Sequence, residues 1–412
     1  MKSLRFIHCA DLHLDRPFRG LADAPAEIVK RVRESTFHSL RRIVDAAIEH
    51  RMDFVIIAGD LFDGENRSLR AQARFRDEMR RLEEAGIEAF VIHGNHDPVG
   101  GDWVALSWPD NVHVFGPEVE VLPFMKNGEV LAHLYGFSYW QRAVTEEMGS
   151  FYVKKSGAPY HIGILHGQAE GNSSDHASYA PFTVNELLDK EFDYWALGHI
   201  HKRQMLQEGN PVILYSGNIQ GLNPKETGEK GCTLVEMEEE VSRLSFIPTA
   251  EVEWRTCEVS ISGVVDADQL LEVCEQALEG FRQEGIGVLA VIEFSGAGTL
   301  HPYLHQEENL EELLAVVREG EDIRENFVWP VSCRVKTTAD WNREQLAGED
   351  HFIGDLLRLI DNNGADDALS PLMKNRRAKR YLAESNGQAE NGILRDAETL
   401  LLTELLREED AE

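Results

Sequence analysis

A layered α/β fold is predicted for the first 250 residues, and three observations predict it. Short Val/Ile/Leu/Phe runs alternate with amphipathic stretches, the runs are bounded by Gly-containing turns, and the helical stretches carry Arg and Glu on one side. Taken in order, the strand candidates are RFIHCA, FVIIAG, AFVIHG, HIGILHG, YWALGH and VILYSGN, with amphipathic helices expected over 27–50 and 68–85. Near residue 250 the pattern changes. RTCEVSI, DADQLLEVCEQALEGF, GVLAVIEFSG, NLEELLAVVRE and FVWPVSCRVK predict a small β-α-β-α-β unit, and beyond about residue 345 only helical signals remain. The expected domains are therefore 1–250, 251–345 and a helical tail, 346–412.

Composition narrows the function classes. The 412 residues include 41 basic and 72 acidic side chains, a net charge of -31, which argues against a passive coat on nucleic acid or an anionic membrane. It does not argue against an enzyme acting on phosphates, because bound divalent ions invert the local field. Five scattered cysteines without a CxxC pair read as reduced thiols. The start, MKSLRFIHCADLHLD, lacks the apolar stretch of a signal peptide, and no run approaches the roughly 20 apolar residues of a membrane span. A soluble, cytoplasmic protein without membrane contact is expected.

The strand candidates of the first domain end in metal-capable side chains. Asp11 and His13 follow the first, Asp60 the second, and His93, Asn95, His96 and Asp97 the third; His166 ends the fourth, and His199 and His201 follow the fifth. On an extended strand, residues two apart share a face, so Asp11 with His13, and His199 with His201, are expected to grip from one side. Glycines 59, 94, 167 and 198 let the backbone turn there. Carboxylate, imidazole and a neutral Asn carbonyl, with no thiolate, suit Mn²⁺, Fe²⁺ or Zn²⁺ rather than a Cys-rich structural zinc site. Seven ligands exceed one ion's needs; with a carboxylate shared they fit two ions roughly 3.5 to 4 Å apart, the arrangement used for displacement at phosphorus.

Through ADLH, GDLFD, GNHD, the LHG histidine and GHIH, the chain resembles the calcineurin-like metallophosphoesterases. Within them it is similar to the SbcD-type DNA repair exonucleases and their YhaO-like branch, a closer likeness carried by YAPFTVNELLDKEFDYWALGHIHKR and YSGNIQGLNPKETGEKG. The resemblance implies a metallophosphoesterase β-sandwich flanked by helices, a small α+β capping domain and a partner-binding helical tail. It implies one ion held by Asp11, His13, Asp60 and His201 and a second by Asp60, Asn95, His166 and His199, most readily Mn²⁺. It makes His96 the catalytic residue that meets the leaving oxygen, with Asp97 expected to orient its imidazole. Some relatives carry a histidine where this chain has Asp63, which leaves cleavage polarity open. His8, His93, His113 and His161 are read as structural.

The implied function is a metal-dependent DNA exonuclease or endonuclease subunit acting on ends or single strands, with an SbcC-like coiled-coil ATPase as partner. Self-association into a homodimer stays open. The alternatives are a phosphatase or cyclic-nucleotide phosphodiesterase on small substrates, and a metal-fold scaffold for a partner ATPase. Two features of the tail bear on partners. KNRRAKRYL, residues 374–382 with Arg376, Arg377 and Arg380, is the densest basic run, either a solvated helix face or a phosphate contact. Ile393, Ala397, Leu400 or Leu401, and Leu405 are expected to form one apolar helical stripe, buried on the chain itself or in a partner groove.

Overall fold

The computed structural model describes residues 3–18, 21, 24–63, 68–100, 106–170, 179–239, 241–340 and 343–361, together with 397, 398, 401, 402 and 405. Each of the six apolar runs forms a strand. Twelve strands precede residue 250: β1 (Ser3–Cys9), β2 (Phe54–Ala58), β3 (Glu88–Ile92), β4 (Val112–Val114), β5 (Glu120–Lys126), β6 (Glu129–Gly136), β7 (Tyr160–His166), β8 (Tyr194–Gly198), β9 (Gln204–Gln207), β10 (Val212–Tyr215), β11 (Gly231–Glu238) and β12 (Val241–Pro248). They pair into two six-stranded sheets, β12-β11-β1-β2-β3-β4 and β5-β6-β7-β8-β10-β9. The strands β1 to β4 run parallel, as do β6, β7, β8 and β10, with antiparallel strands completing each sheet.

Of the parallel strands, β1, β2, β3, β7, β8 and β10 are largely buried on both faces, which is why they read as uninterrupted apolar runs. Phe6, Phe54, Ile56 and Phe90 of the first sheet pack against Ile162, Ile164, Tyr194 and Leu214 of the second. The outer face of the first sheet, with Ile7, Val55, Ile57 and Val91, is covered by helices α1 (Ala26–Glu49) and α2 (Leu69–Glu84) through Phe37, Leu40, Val44, Phe75 and Met79. Ser68 caps α2 by accepting from Ala71 N at 2.9 Å. The outer face of the second sheet, with Trp195, Leu197 and Tyr215, is covered by Tyr152, Phe182 and Leu187, the last from α3 (Val184–Leu188). The result is a β-sandwich flanked by helices.

The chain divides into two compact units: Met1–Arg255 with Phe281–Ala290 and Gly320–Val331, and Thr256–Gly280 with Val291–Glu319 and Ser332–Glu412. In the first, Ile28 and Val32 of α1 pack with Val252, Trp254, Leu289, Phe327 and Trp329. Glu251, only 7% exposed, accepts from Arg31 at 2.7 Å and Arg42 at 2.5 Å, so this buried carboxylate is charge-paired twice. The expected β-α-β-α-β pattern is present as β13 (Val252–Ser260), α4 (Ala267–Glu279), β14 (Gly287–Ala297), α5 (His301–Leu304), α6 (Glu307–Val317) and β15 (Val328–Thr338), with sheet order β13-β14-β15. Within the second unit α4 packs on α6, and Leu270, Cys274, Leu278, Leu313 and Leu314 are buried.

The tail is helical where it is described. After α7 (Arg343–Gly348), residues 352–361 are helical, and Ile353, Leu357 and Leu402 form a small core with Leu346, Ala347 and Leu405. The buried face differs from the expected stripe: Leu402 replaces Leu401, which is 43% exposed, and Ala397 is exposed. Leu402 packs on Ile353 and Leu357, and Glu398, one turn earlier, pairs with Arg343 at 2.5 Å, as Asp361 does at 2.7 Å. Ile393, Leu400 and the basic run 374–382 lie outside the described residues. Among the described residues no helix is long and apolar enough to cross a membrane.

Candidate metal centre

The polar residues singled out in the sequence meet beyond the C-terminal ends of β1, β2, β3, β7 and β8, so both sheets contribute. His166 closes β7; the others lie in the loops that follow their strands. Asp11 N and His13 N donate to Gly59 O and Asp60 O, each at 3.0 Å, which zips the loops after β1 and β2 together. Gly94 and Gly198 make room for His166: a Cβ on Gly94 would overlap Asp60 Oδ1, and one on Gly198 would overlap Ala58 O. A Gly198→Ala protein is accordingly expected to lose stability by about 1–3 kcal/mol and to bind metal at reduced stoichiometry. Thermal unfolding and elemental analysis check both.

One expectation about geometry fails. Asp11 and His13, and His199 and His201, do converge, but not as alternate residues of extended strands. β1 ends at Cys9 and β8 at Gly198, and Asp11, His13, Asp60 and His199 have φ of 52°, 43°, 51° and 95°. These are left-handed conformations that cost non-glycine residues of order 1–3 kcal/mol and persist where surrounding structure imposes them. Four of the seven expected ligands are held this way.

The donors face one another with little else between them. His201 Nδ1 donates to Glu226 Oε1 at 2.9 Å, so its Nε2 carries the lone pair and lies 3.1 Å from His13 Nε2. His166 Nδ1 donates to Ala58 O at 2.9 Å, and its Nε2 faces Asn95 Oδ1 at 3.0 Å and Asp60 Oδ2 at 3.3 Å. A lone pair aimed at two acceptor oxygens marks a place for a proton or a cation. Burial opposes charge on His166, yet the carboxylates of Asp60 and Asp11 outweigh it and hold its pKa near 9. His199 Nδ1 lies 3.2 Å from Asn95 Oδ1, and its backbone N donates to Asp11 Oδ1 at 3.1 Å; burial and the neighbouring His166 push its pKa down to about 3. Ligand atoms of Asp11, His13 and His201 lie within 4.8 Å of one another, as do those of Asp11, Asp60 and His166. Buried imidazoles, carboxylates and one amide oxygen converging this way fit two divalent ions sharing Asp60.

His96 stands beside this cluster, its side chain 27% exposed, with its ring 5.0 Å from that of His13. Its orienting partner is not Asp97. That carboxylate is buried beneath the loop, accepting from Gly94 N at 2.8 Å and Leu61 N at 3.0 Å and meeting His93 Nδ1 at 2.8 Å; it shapes the turn. Asp63 takes the place, with Oδ1 2.9 Å from His96 Nδ1, 3.6 Å from His13 Nδ1, and Oδ2 3.4 Å from Arg16 Nε. Burial disfavours the charged Asp63, but the nearby His13 imidazole and the hydrogen bond from His96 outweigh it and hold its carboxyl well below the ordinary range. Glu226 was also not anticipated; burial opposes its charge, but the hydrogen bond from His201 leads the opposing causes and lowers it to about 2. His8, His113 and His161 lie against Tyr194, Glu88 and Tyr135 at 3.0, 3.1 and 2.8 Å.

Residues 4–203 match the calcineurin-like phosphoesterase family, and residues 254–338 match the middle domain of metallophosphoesterase YhaO. The chain is 38% identical over 406 residues to the uncharacterized metallophosphoesterase YhaO of Bacillus subtilis (strain 168), covering 98% of each. The chain belongs to the YhaO family of calcineurin-like metallophosphoesterases. More distantly, it is 26% identical over 264 residues to the DNA double-strand break repair protein Mre11 of Sulfurisphaera tokodaii, covering 60% of this chain and 63% of that one. The Mre11 of Methanocaldococcus jannaschii is also 26% identical, over 267 residues, with 61% and 68% covered. Among solved structures, a dimetal phosphatase from Danio rerio aligns with TM-score 0.36 and 12% identity, over 60% of this chain and 96% of that one. Membership of the YhaO family implies a metal-dependent hydrolase.

Proposed function

We propose that this YhaO-family chain is a dinuclear-metal phosphodiesterase whose substrate is DNA, cut at ends or in single strands. The observation that carries the hydrolytic part is the convergence of Asp11, His13, Asp60, Asn95, His166, His199 and His201 beside a partly exposed His96 backed by Asp63. The DNA part is supported by the likeness to proteins named for double-strand break repair. Bound ions supply Lewis acidity and a nucleophilic water at neutral pH. His96, with Nδ1 tied to Asp63, presents Nε2 as the atom that protonates the leaving oxygen.

The test is an assay of the purified protein on single-stranded, duplex and hairpin DNA and on an aryl phosphate diester. Chelation is expected to abolish cleavage, and Mn²⁺ to restore it more fully than Mg²⁺, because an imidazole-rich set suits transition metals and Mg²⁺ prefers oxygen. Full activity in chelator overturns the metal mechanism. Hydrolysis of the small diester alone replaces DNA with a small phosphate as substrate.

The same reading gives the chain an SbcC-like coiled-coil ATPase as partner, bound through the tail, and a cytoplasmic working place, the latter supported by five free thiols. Phe352, 69% exposed, and Leu401, 43% exposed, supply apolar surface on the tail. A truncation ending at Asp340 is expected to keep its metal and its cleavage of a short substrate while losing co-purification with the ATPase. An intact complex after truncation removes the tail from the interface.

A further inference from the structure

Behind His201 lies a segment that contains none of the expected ligands and that folds back under the metal cluster. Glu226 at its centre receives four hydrogen bonds. Its Oε1 accepts from His201 Nδ1 at 2.9 Å and from Asn223 Nδ2 at 2.6 Å; its Oε2 accepts from Asn218 Nδ2 at 2.7 Å and from Leu222 N at 2.8 Å. The same segment grips the His201 backbone: the carbonyl accepts from Asn218 N and from the ammonium of Lys230, each at 3.2 Å. Lys230 is only 7% exposed, so its charge is committed to this spot. Gly217, at φ 77°, sits so close to Arg203 N and His201 O that a Cβ there would collide. His201 is thus fixed at its ring and at its backbone by one stretch of chain.

No other expected imidazole ligand has a carboxylate so placed. His166 Nδ1 is backed by the neutral carbonyl of Ala58, the His199 ring meets an amide oxygen and the Tyr179 ring, and His13 Nδ1 stands 3.6 Å from Asp63 without a hydrogen bond. A carboxylate behind an imidazole fixes its tautomer and raises its basicity toward a metal, and removing such a partner costs about 10–100-fold in metal affinity. The asymmetry in backing therefore becomes an asymmetry between the two ions.

We propose that Ser216–Lys230 is a clamp on His201, and that Glu226 is the positioning residue that makes the ion held by Asp11, His13 and His201 the tighter of the two. The inference rests on the dinuclear reading above. It adds an order of loading: the His201 side fills first, and the Asn95, His166 and His199 side fills second, so that at limiting metal the protein holds one ion and awaits the other.

The experiment is a Mn²⁺ titration of the metal-stripped full-length protein by calorimetry, with metal content measured after dialysis. Wild type is expected to show two steps. Glu226→Gln, which keeps the side chain's size, is expected to weaken the tighter step about 10–100-fold and leave the looser one in place. In a His201→Ala background, Glu226→Gln is expected to add nothing, because the residue acts through the imidazole. Glu226→Asp, which keeps the charge, is expected to recover part of the lost affinity. Unchanged steps, weakening confined to the looser step, or equal weakening of both overturns the proposal. If Glu226 merely holds its loop, the metal-free variant unfolds at lower temperature and both steps suffer together. A wild-type protein that takes up a single ion removes the dinuclear reading instead, and Glu226→Gln then still decides the clamp by whether that one step weakens.

Discussion

An Asp60→Asn protein is expected to bind neither ion at full occupancy and to hydrolyse nothing above background. The change keeps the side chain's volume and removes only the charge, so the fold loses little packing. The site loses far more. Asp60 is 1% exposed, its Oδ2 lies 3.3 Å from His166 Nε2 and 3.8 Å from His13 Nε2, and its Oδ1 accepts from His96 N at 2.9 Å. Burial alone would neutralise such a carboxyl, but His166 and the other imidazoles around it hold it well below its ordinary pKa, so it stays charged. One oxygen facing ligands of both groups is the position a shared carboxylate must take. Its loss removes a formal charge that faces both ligand groups, and several kcal/mol of transition-state stabilisation go with it, about 10³-fold or more in rate. Elemental analysis and the diester assay together check it; either ion at full occupancy would show that Asp60 serves a single position.

Much of this centre was legible because parallel strands buried on two faces leave a blunt trace: a run of Val, Ile and Phe that stops where polar side chains begin. FVIIAGD and YWALGHIH have that form, and both end at site loops. The manner of convergence was not legible. Residues two apart point together in an extended strand, and in a turn only if φ happens to bring them together, so Asp11 and His13 arrived at one side by left-handed backbone that no spacing rule encodes. The antiparallel hairpin β5–β6 passed unnoticed for a different reason. Its exposed edge residues break the apolar run, although Asn127-Gly128, with φ of 54° and 81°, is a hairpin signal carried in the sequence itself.

Second-layer partners were the hardest to see. Asp97 follows His96 and looks like its neighbour, yet the turn sends it inward to His93, Gly94 and Leu61. Asp63, far earlier in the chain, reaches His96 because the loops after β2 and β3 meet over the same cleft. Glu226 lies twenty-five residues after His201 with a strand pair between, so only the folded chain brings them together. Ligand types announce themselves in strand ends; their supports are tertiary.

The largest effect without metal loss is expected at His96. His96→Ala should lower turnover by roughly 10² to 10⁴ fold, the usual range for a general acid or base, while the protein keeps its metal. The His96 backbone N donates to Asp60 Oδ1 and survives the substitution, and its ring, 27% exposed, meets His13 edge-on at 5.0 Å without being one of the expected ligands. Asp63 decides what the ring can do. Held charged, it accepts from Nδ1 at 2.9 Å, which fixes the ring and leaves Nε2 as the atom that meets an oxygen departing with negative charge. Two consequences separate this role from a structural one. The deficit of His96→Ala should shrink on an aryl diester, whose leaving group needs no proton, and persist on an alkyl or nucleotide diester. Asp63→Asn should give a smaller loss of the same kind, since it leaves the imidazole in place but removes the charge behind it. Metal content, kcat on the two classes of diester and their ratio are the measurements; a deficit equal on both leaving groups, or loss of both ions from His96→Ala, would instead make this histidine a ligand or a support.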